Sequence, residues 1–284
     1  MASHTCELYP YDPSVALAVI AMILFAGLTA VHSLRMIQTK TWSNIPFVFG
    51  GLAQLSGYTA RLFSTQDTCD RAAYGFQSVL LLLGPTLLMI TINLAHTTFV
   101  QALNAEHLCW VPIAWQRPVY LSMNIILVLA QAIGGIMTAS SSITIIASGS
   151  KVIIATFVVQ MIFWGFILAE NINMTLRLGR HPTVSSRDKL PQWKKGSQLF
   201  GLSTSIIGFG RNVMRLTMYG GIGFLVNNEW PSYAFDGFQM VVVMGAWAIW
   251  YLPEKCHEVS YKSNYLSLER RRRTTDEEES LTTM

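Results

Sequence analysis

Charge is scarce in this sequence, since only 13% of its 284 residues are charged while 51% are hydrophobic. A soluble domain carries about a quarter charged residues. So few charges would not cover a globule of this size with solvated side chains, which indicates that lipid is the solvent for most of the chain. The formal net charge of +4 does not indicate nucleic-acid binding, because the charged residues lie between and after the apolar runs.

The sequence also lacks the patterns of the common enzymes. It contains no Walker pattern for nucleotides, no cysteine spacing typical of a zinc or redox motif, and no visible pairing of a nucleophile with a base. Only His32 and His96 of the six histidines lie near apolar runs, and the nearest carboxylate, Glu170, lies on another run. A metal site needs several such ligands at one depth. We therefore expect no metal, no cofactor and no enzymatic activity.

Seven apolar runs divide the chain. A helix needs about 20 residues to cross a bilayer, and the predicted spans cover residues 14–34, 45–63, 73–100, 119–138, 152–176, a sixth that begins near 199, and 233–252. Unbroken apolar runs such as 80–90 do not alternate as the strands of a membrane barrel would. The sequence therefore predicts an all-α, polytopic membrane protein with a seven-transmembrane helix bundle.

The distribution of Lys and Arg predicts the orientation, because positive residues remain on the cytosolic side. They are concentrated in the loops after the first, third and fifth spans and after the seventh, whereas the opposite loops contain only Arg71 and Lys151. Residues 1–13 contain no Lys or Arg, so no cleavable signal peptide is expected there. We predict an extracellular N-terminus (1–13), a transmembrane domain (14–252) and a disordered cytosolic tail (253–284).

The four cysteines divide equally in this topology. Cys6 and Cys69 lie outside, whereas Cys109 and Cys256 lie inside. Because disulfides form in oxidising spaces, the outer pair predicts a bond between the N-terminus and the second loop. The alternative is that Cys6 and Cys69 are two unrelated thiols.

Polar side chains inside the predicted spans are the candidate functional residues, since burying them in a bilayer is costly. Five of them are amides: Gln54, Gln77, Asn124, Gln131 and Gln160. Tyr58 and Arg61 lie on the same helical face as Gln54. Two roles stay open for them: hydrogen bonding between helices or contact with a ligand. Pro85 is expected to kink the third span and free a backbone carbonyl.

Arg211 and Arg215 are four residues apart and therefore share a face of the sixth helix, near its outer end. An arginine at this depth is costly unless it is paired or reaches water, and Glu229 and Asp236 follow on the same side. We predict that Arg211 or Arg215 pairs with Asp236 or Glu229 at the outer mouth of a central cavity. The pair either locks the two helices together or presents positive charge to a lipid phosphate or carboxylate.

Six ordered motifs between residues 9 and 240 carry a family resemblance. They are Tyr11-Asp12-Pro13-Ser14, Gln54-x-x-Gly57-Tyr58-x-x-Arg61, Tyr74-x-x-Gln77 with Pro85, Asn124 with Gln131 and Gly134-Gly135, Gly149 with Gln160, and Arg211-x-x-x-Arg215 followed by Glu229, Tyr233 and Asp236. In this order the motifs resemble the fungal RTA-like proteins, the lipid-translocating exporter family. The family usually has acidic residues at three positions that are neutral here: Gln54, Asn124 and Met218.

The resemblance implies a role in the translocation or export of lipid-like amphiphiles, such as sphingoid bases or sterol-like compounds, or in resistance to them. It also implies a location in the fungal plasma membrane and a role in stress resistance. Because no nucleotide-binding motif is present, nucleotide hydrolysis is not expected. The expected partners are membrane lipids or amphiphilic small molecules, and not nucleic acid; the sequence leaves the oligomeric state open. The alternative is a seven-helix receptor or sensor of lipid-like ligands that signals through its cytosolic tail.

Overall fold

Helices account for the architecture of the part of the chain that the structure describes. The computed structural model describes residues 11–66, 69–140, 142–189, 192–221, 223–251 and 254, and no strand is present in these ranges. Five regular α-helices come first: α1 (Val15–Thr39), α2 (Ile45–Gln66), α3 (Arg71–Ala102), α4 (Ile113–Thr138) and α5 (Ile143–Arg180). The all-α prediction is confirmed over these ranges.

The last two long helices contain π-helical segments. Helix α6 is α-helical over Trp193–Ser205, π-helical over Ile206–Arg211 and α-helical again over Asn212–Tyr219. Helix α7 begins as a π-helix, Ser232–Phe238, and continues as an α-helix, Gln239–Ile249. Segments of π-helix are rare and occur frequently at functional sites. The two helices are joined through a turn at Gly221, whose φ of 79° favours glycine.

Four helices of the described chain are long and apolar enough to cross a membrane: α1, α3, α4 and α5. Helix α2 contains polar residues, and π-helical segments interrupt α6 and α7. The apolar segments of these three helices are therefore less continuous than those of the other four. Helix α5 begins at Ile143 rather than near 152 and has 38 residues, about 57 Å at 1.5 Å per residue. The seven-span count and the orientation stay predictions.

Helix α3 lies at the centre of the bundle. Consecutive helices from α1 to α6 are neighbours, α1 also packs against α7, and α3 contacts α2, α4 and α6. The most apolar segment of α3 is 67% buried, compared with 28% in α1. The approach of α2 to α3 is close at Gly50, where a Cβ would lie 2.8 Å from the carbonyl oxygen of Gly84. The residues that α3 presents to its neighbours therefore form much of the interior.

The interior of the bundle contains polar as well as apolar side chains, and its exterior is largely apolar. Large apolar side chains such as Ile126, Ile133 and Ile162 are exposed on its surface, whereas the amides Gln131 and Gln160 are fully buried. Lipid-exposed surfaces are apolar, and polar groups at membrane depth face the interior of a bundle. The burial pattern is thus that of a protein surrounded by lipid.

Candidate functional site

Two arginines of α6 share one carboxylate of α7. Arg211 Nε lies 2.8 Å from Asp236 Oδ1, and Arg215 forms an ion pair with the other carboxylate oxygen of Asp236. Arg211 is at the end of the π-helical segment of α6, and Asp236 is inside that of α7. The Arg211 side chain is completely buried, and only 2% of the Asp236 side chain is exposed. The charges are therefore desolvated where the two irregular helical segments meet.

Helix α3 supplies a further acceptor for Arg211 because of its proline. Pro85 has no N–H, so the carbonyl of Leu81, four residues earlier, has no helical donor. Arg211 Nη2 donates to this carbonyl oxygen over 3.0 Å. The guanidinium also lies 5.6 Å from the ring centroid of Phe157 on α5, within the range of a cation–π contact. Arg211 thus connects α3, α5, α6 and α7.

A second ion pair closes the same end of the bundle. Arg61 of α2 contacts Glu229 between its Nη2 and Oε1 at 2.8 Å, and it also donates to the hydroxyl of Tyr11 over 3.1 Å. The other oxygen of Glu229 accepts the backbone N–H of Ser14 at 2.8 Å. The Arg61 guanidinium lies 5.1 Å from the ring centroid of Tyr233. This ion pair joins helix α2 to the segment before α1 and to the α6–α7 connection.

A cavity of about 180 Å³ lies between the two ion pairs. Its wall contains five tyrosines, Tyr11, Tyr58, Tyr74, Tyr219 and Tyr233. The remaining lining residues are Arg61, Gln77, Ser78, Leu81, Arg215, Met218, Val226, Ser232 and Asp236. The Tyr58 ring stacks on those of Phe25 and Tyr233, with centroids 5.4 and 5.6 Å apart. The cavity therefore combines an aromatic wall with charged groups.

A network of polar side chains continues into the bundle from the arginine cluster, which consists of Arg211, Arg215 and Asp236. Asn212, next to Arg211, donates to Gln160 Oε1 at 3.4 Å, and Gln160 Nε2 donates to Thr86 Oγ1 at 3.2 Å. The Thr86 hydroxyl donates to Gln131 Oε1 at 2.9 Å. All four side chains are completely buried. Helices α3, α4, α5 and α6 are thus linked by hydrogen bonds.

The structure brings together only part of the set expected from the sequence. Five of its residues line the cavity: Tyr58, Arg61, Gln77, Arg215 and Asp236. Glu229 and Arg211 contact lining residues, and Gln131 and Gln160 belong to the buried network.

Two amides expected at the site lie away from the cavity. Gln54 packs against the backbone of α3 at Gly84. Asn124 donates to the carbonyl of Tyr120 in its own helix over 2.7 Å. Neither residue lines this cavity, and the expectation that Gln54 and Asn124 contact a ligand stays a prediction.

The sequence left open whether Asp236 or Glu229 pairs with the arginines of α6. Asp236 serves both arginines of α6, whereas Glu229 contacts Arg61 of α2. Sequence reasoning did not place Tyr74 and Tyr219 in the site, although spacing carries a signal for both. Tyr74 is three residues before Gln77, and Tyr219 is four residues after Arg215, so each shares a helical face with a site residue.

A separate buried carboxylate lies on α5. Glu170 is completely buried, and it accepts the hydroxyl of Tyr120 at 2.6 Å and the backbone N–H groups of Trp110 and Val111 at 2.8 and 3.0 Å. These contacts attach the α3–α4 connection to α4 and α5. In that connection, burial and the charge of Glu170 raise the pKa of the Cys109 thiol to about 11, so the thiol stays protonated and poorly nucleophilic.

The predicted disulfide falls partly outside the described residues. Cys69 is disulfide-bonded, but Cys6 is not among the residues that the structure describes. The Cys6–Cys69 pairing stays a prediction.

Comparisons with known proteins give a consistent result. Residues 47–258, well over half of the chain, match the family model described as "RTA1 like protein". Protein RTA1 of Saccharomyces cerevisiae is 28% identical over 86% of this chain and 84% of its own. Protoporphyrin uptake protein 1 of the same yeast is 24% identical, covering 85% and 91% of the two chains, and Protein RTM1 is 24% identical, covering 83% and 88%. No solved structure matches the chain significantly.

Proposed function

The chain belongs to the RTA1-like family, and we propose that it binds lipid-like amphiphiles in the cavity between α2, α3, α6 and α7 and moves them across the membrane. Its family and its apolar helices make it an integral membrane protein. The proposal includes seven spans with the N-terminus outside, which puts the cavity at the extracellular end of the bundle. It also includes the plasma membrane as the location and a role in stress resistance.

The observation that carries this proposal is the composition of the cavity wall. Stacked aromatic rings next to fixed charges suit a molecule with an apolar body and a charged or polar end. One relative bears the name Protoporphyrin uptake protein 1, and that name supports movement of an amphiphilic compound.

Reconstitution tests the proposal directly. The purified full chain is placed in phosphatidylcholine vesicles with a fluorescently labelled long-chain base or a labelled dodecanoate in the outer leaflet. Movement is measured as the fraction of the fluorophore that becomes protected from an added quencher. We expect protein-dependent, saturable protection with at least one of the two probes.

A matched pair of variants locates the activity. Ser78→Phe fills the cavity with a ring, whereas Ser122→Phe adds the same ring on the exposed face of α4. Within the described part of the chain, each serine hydrogen-bonds a carbonyl of its own helix, so the two changes remove similar contacts. We expect Ser78→Phe to abolish movement and Ser122→Phe to retain it. Saturable binding without movement would favour the sensor over the translocator, and absence of binding for every amphiphile would refute both.

A further inference from the structure

Among the residues that the structure describes, the charged groups around the cavity do not balance. Arg61 and Glu229 form one neutral pair, whereas Arg211 and Arg215 share the single carboxylate of Asp236. Arginine remains protonated in proteins. The cluster of Arg211, Arg215 and Asp236 therefore carries one excess positive charge.

The excess charge is accessible from the cavity through Arg215. This residue lines the cavity with 12% of its side chain exposed, whereas Arg211 is fully buried behind it. Among the described residues, Arg215 Nε has no hydrogen-bond partner. A positively charged donor without a full set of acceptors recognises an anion such as a phosphate or a carboxylate.

An uncompensated cation is costly at this depth. An anionic group bound beside Arg215 would neutralise the cluster, whereas an ammonium group would increase its net charge. We propose that the cavity selects amphiphiles by an anionic head group, a phosphate or a carboxylate, and discriminates against cationic amines. This inference rests on the proposed function and specifies its ligand class.

The size of the cavity restricts what enters it. A cavity of roughly 150 Å³ accepts a ring such as benzene, so 180 Å³ accommodates a head group and its adjoining carbons but not a whole long-chain lipid. The aromatic wall of Tyr58 and Tyr233 would contact the first apolar part of the ligand. Recognition therefore depends on the head group more than on the length of the tail.

Thermal unfolding of the full chain in dodecyl maltoside tests the inference, since these micelles contain neither phosphate nor carboxylate. The protein is titrated with dodecyl phosphate, dodecanoate, dodecylamine and dodecanol, which share one alkyl chain, and with inorganic phosphate. We expect at least one of the two anionic amphiphiles to stabilise it at a concentration at least about tenfold lower than dodecylamine. Inorganic phosphate should stabilise it less, because it lacks the apolar part.

Variants that change the cavity charge provide the decisive comparison. Met218→Glu adds a carboxylate to the cavity wall, and Met218→Gln adds an amide of the same shape. Met218→Glu should remove the preference for anions, and Met218→Gln should retain it. Arg215→Gln should also remove the preference, Arg215→Lys should preserve part of it, and Lys151→Gln, which removes an exposed charge on α5, should have no effect.

The outcomes separate this inference from the proposed function. Stabilisation that is equal for all four head groups, or strongest for dodecylamine, overturns anion selection but leaves amphiphile binding in place. A preference that survives both Met218→Glu and Arg215→Gln also overturns it. Equal stabilisation by inorganic phosphate and dodecyl phosphate makes the ligand a small anion rather than an amphiphile. No stabilisation by any dodecyl compound contradicts the proposed function itself.

Discussion

Asp236→Asn removes the carboxylate charge that Arg211 and Arg215 share while it retains the size of the side chain. In the native protein both arginines contact this group, and its side chain is only 2% exposed. The variant leaves two guanidinium groups close together with no counter-charge between them. The carbonyl of Leu81 continues to accept from Arg211, but it supplies no negative charge.

The burial of the cluster sets the expected magnitude. Removing one partner of a buried ion pair costs about 3–5 kcal/mol, because the remaining charge stays desolvated. Glu229→Gln disrupts a more accessible pair, in which the side chains of Arg61 and Glu229 are 7% and 10% exposed. We expect a smaller loss for Glu229→Gln, about 1.5–3 kcal/mol, the range for a hydrogen bond to a charged group. The control Glu106→Gln removes an exposed acid and should stay within about 0.5 kcal/mol of the native protein.

The free energy of unfolding is measured by denaturant titration of the purified chain in mild detergent, monitored by tryptophan fluorescence. The double variant Asp236→Asn with Arg215→Gln returns the cluster to a single excess charge. Its loss of stability should therefore be smaller than the sum of the two single losses, with a coupling energy of about 1–3 kcal/mol. If Asp236→Asn matches the Glu106→Gln control, the carboxylate does not hold the helices together, and additive losses would show that the two residues act independently.

Three further predictions concern other parts of the molecule. Gly50→Ala should lower the free energy of unfolding by about 1–3 kcal/mol, because its Cβ would lie 2.8 Å from a carbonyl oxygen of α3; Gly27→Ala, with nothing within 4 Å, should not destabilise the protein. Glu170→Gln should cost about 2–3 kcal/mol and Tyr120→Phe less, since the carboxylate accepts two backbone N–H groups besides the tyrosine; equal losses would contradict the central role of the carboxylate. A tag at the N-terminus should be accessible on intact cells and one at the C-terminus hidden, and labelling of the C-terminal tag would overturn the predicted orientation.

The helices could be predicted largely from apolar runs, because a backbone in lipid forms either helices or a closed barrel, and runs such as 80–90 do not alternate as barrel strands would. The ends of the helices were hardest to predict where polar residues interrupt an apolar run. The sixth span had no clear end in the sequence, since Arg211 and Arg215 interrupt its apolar run. Helix α6 in fact continues through a π-helical segment to Tyr219. Polar residues and irregular backbone both weaken the signals of a transmembrane helix.

The candidate site was predictable in its chemistry and less so in its pairing. Helical spacing put Arg211 and Arg215 on one face, and the cost of a lone charge required an acid nearby. Spacing does not show which acid is closest, because the α6–α7 connection determines where Glu229 lies. In the structure Glu229 contacts Arg61, and Asp236 contacts both Arg211 and Arg215. The excess positive charge follows from this arrangement and is not visible in the sequence.

Three departures from regular helical hydrogen bonding meet at one cluster. Pro85 frees the carbonyl of Leu81 in α3, Arg211 ends the π-helical segment of α6, and Asp236 lies inside that of α7. Irregular backbone at membrane depth is tolerated where it is buried in protein or lines a cavity, and both conditions hold here. A side chain that donates to one irregular helix and pairs with another would transmit a change in either to the other. An anion bound beside Arg215 would weaken the hold of Asp236 on α6, so binding in the cavity would act on the contact between α6 and α7 where their backbones are least regular.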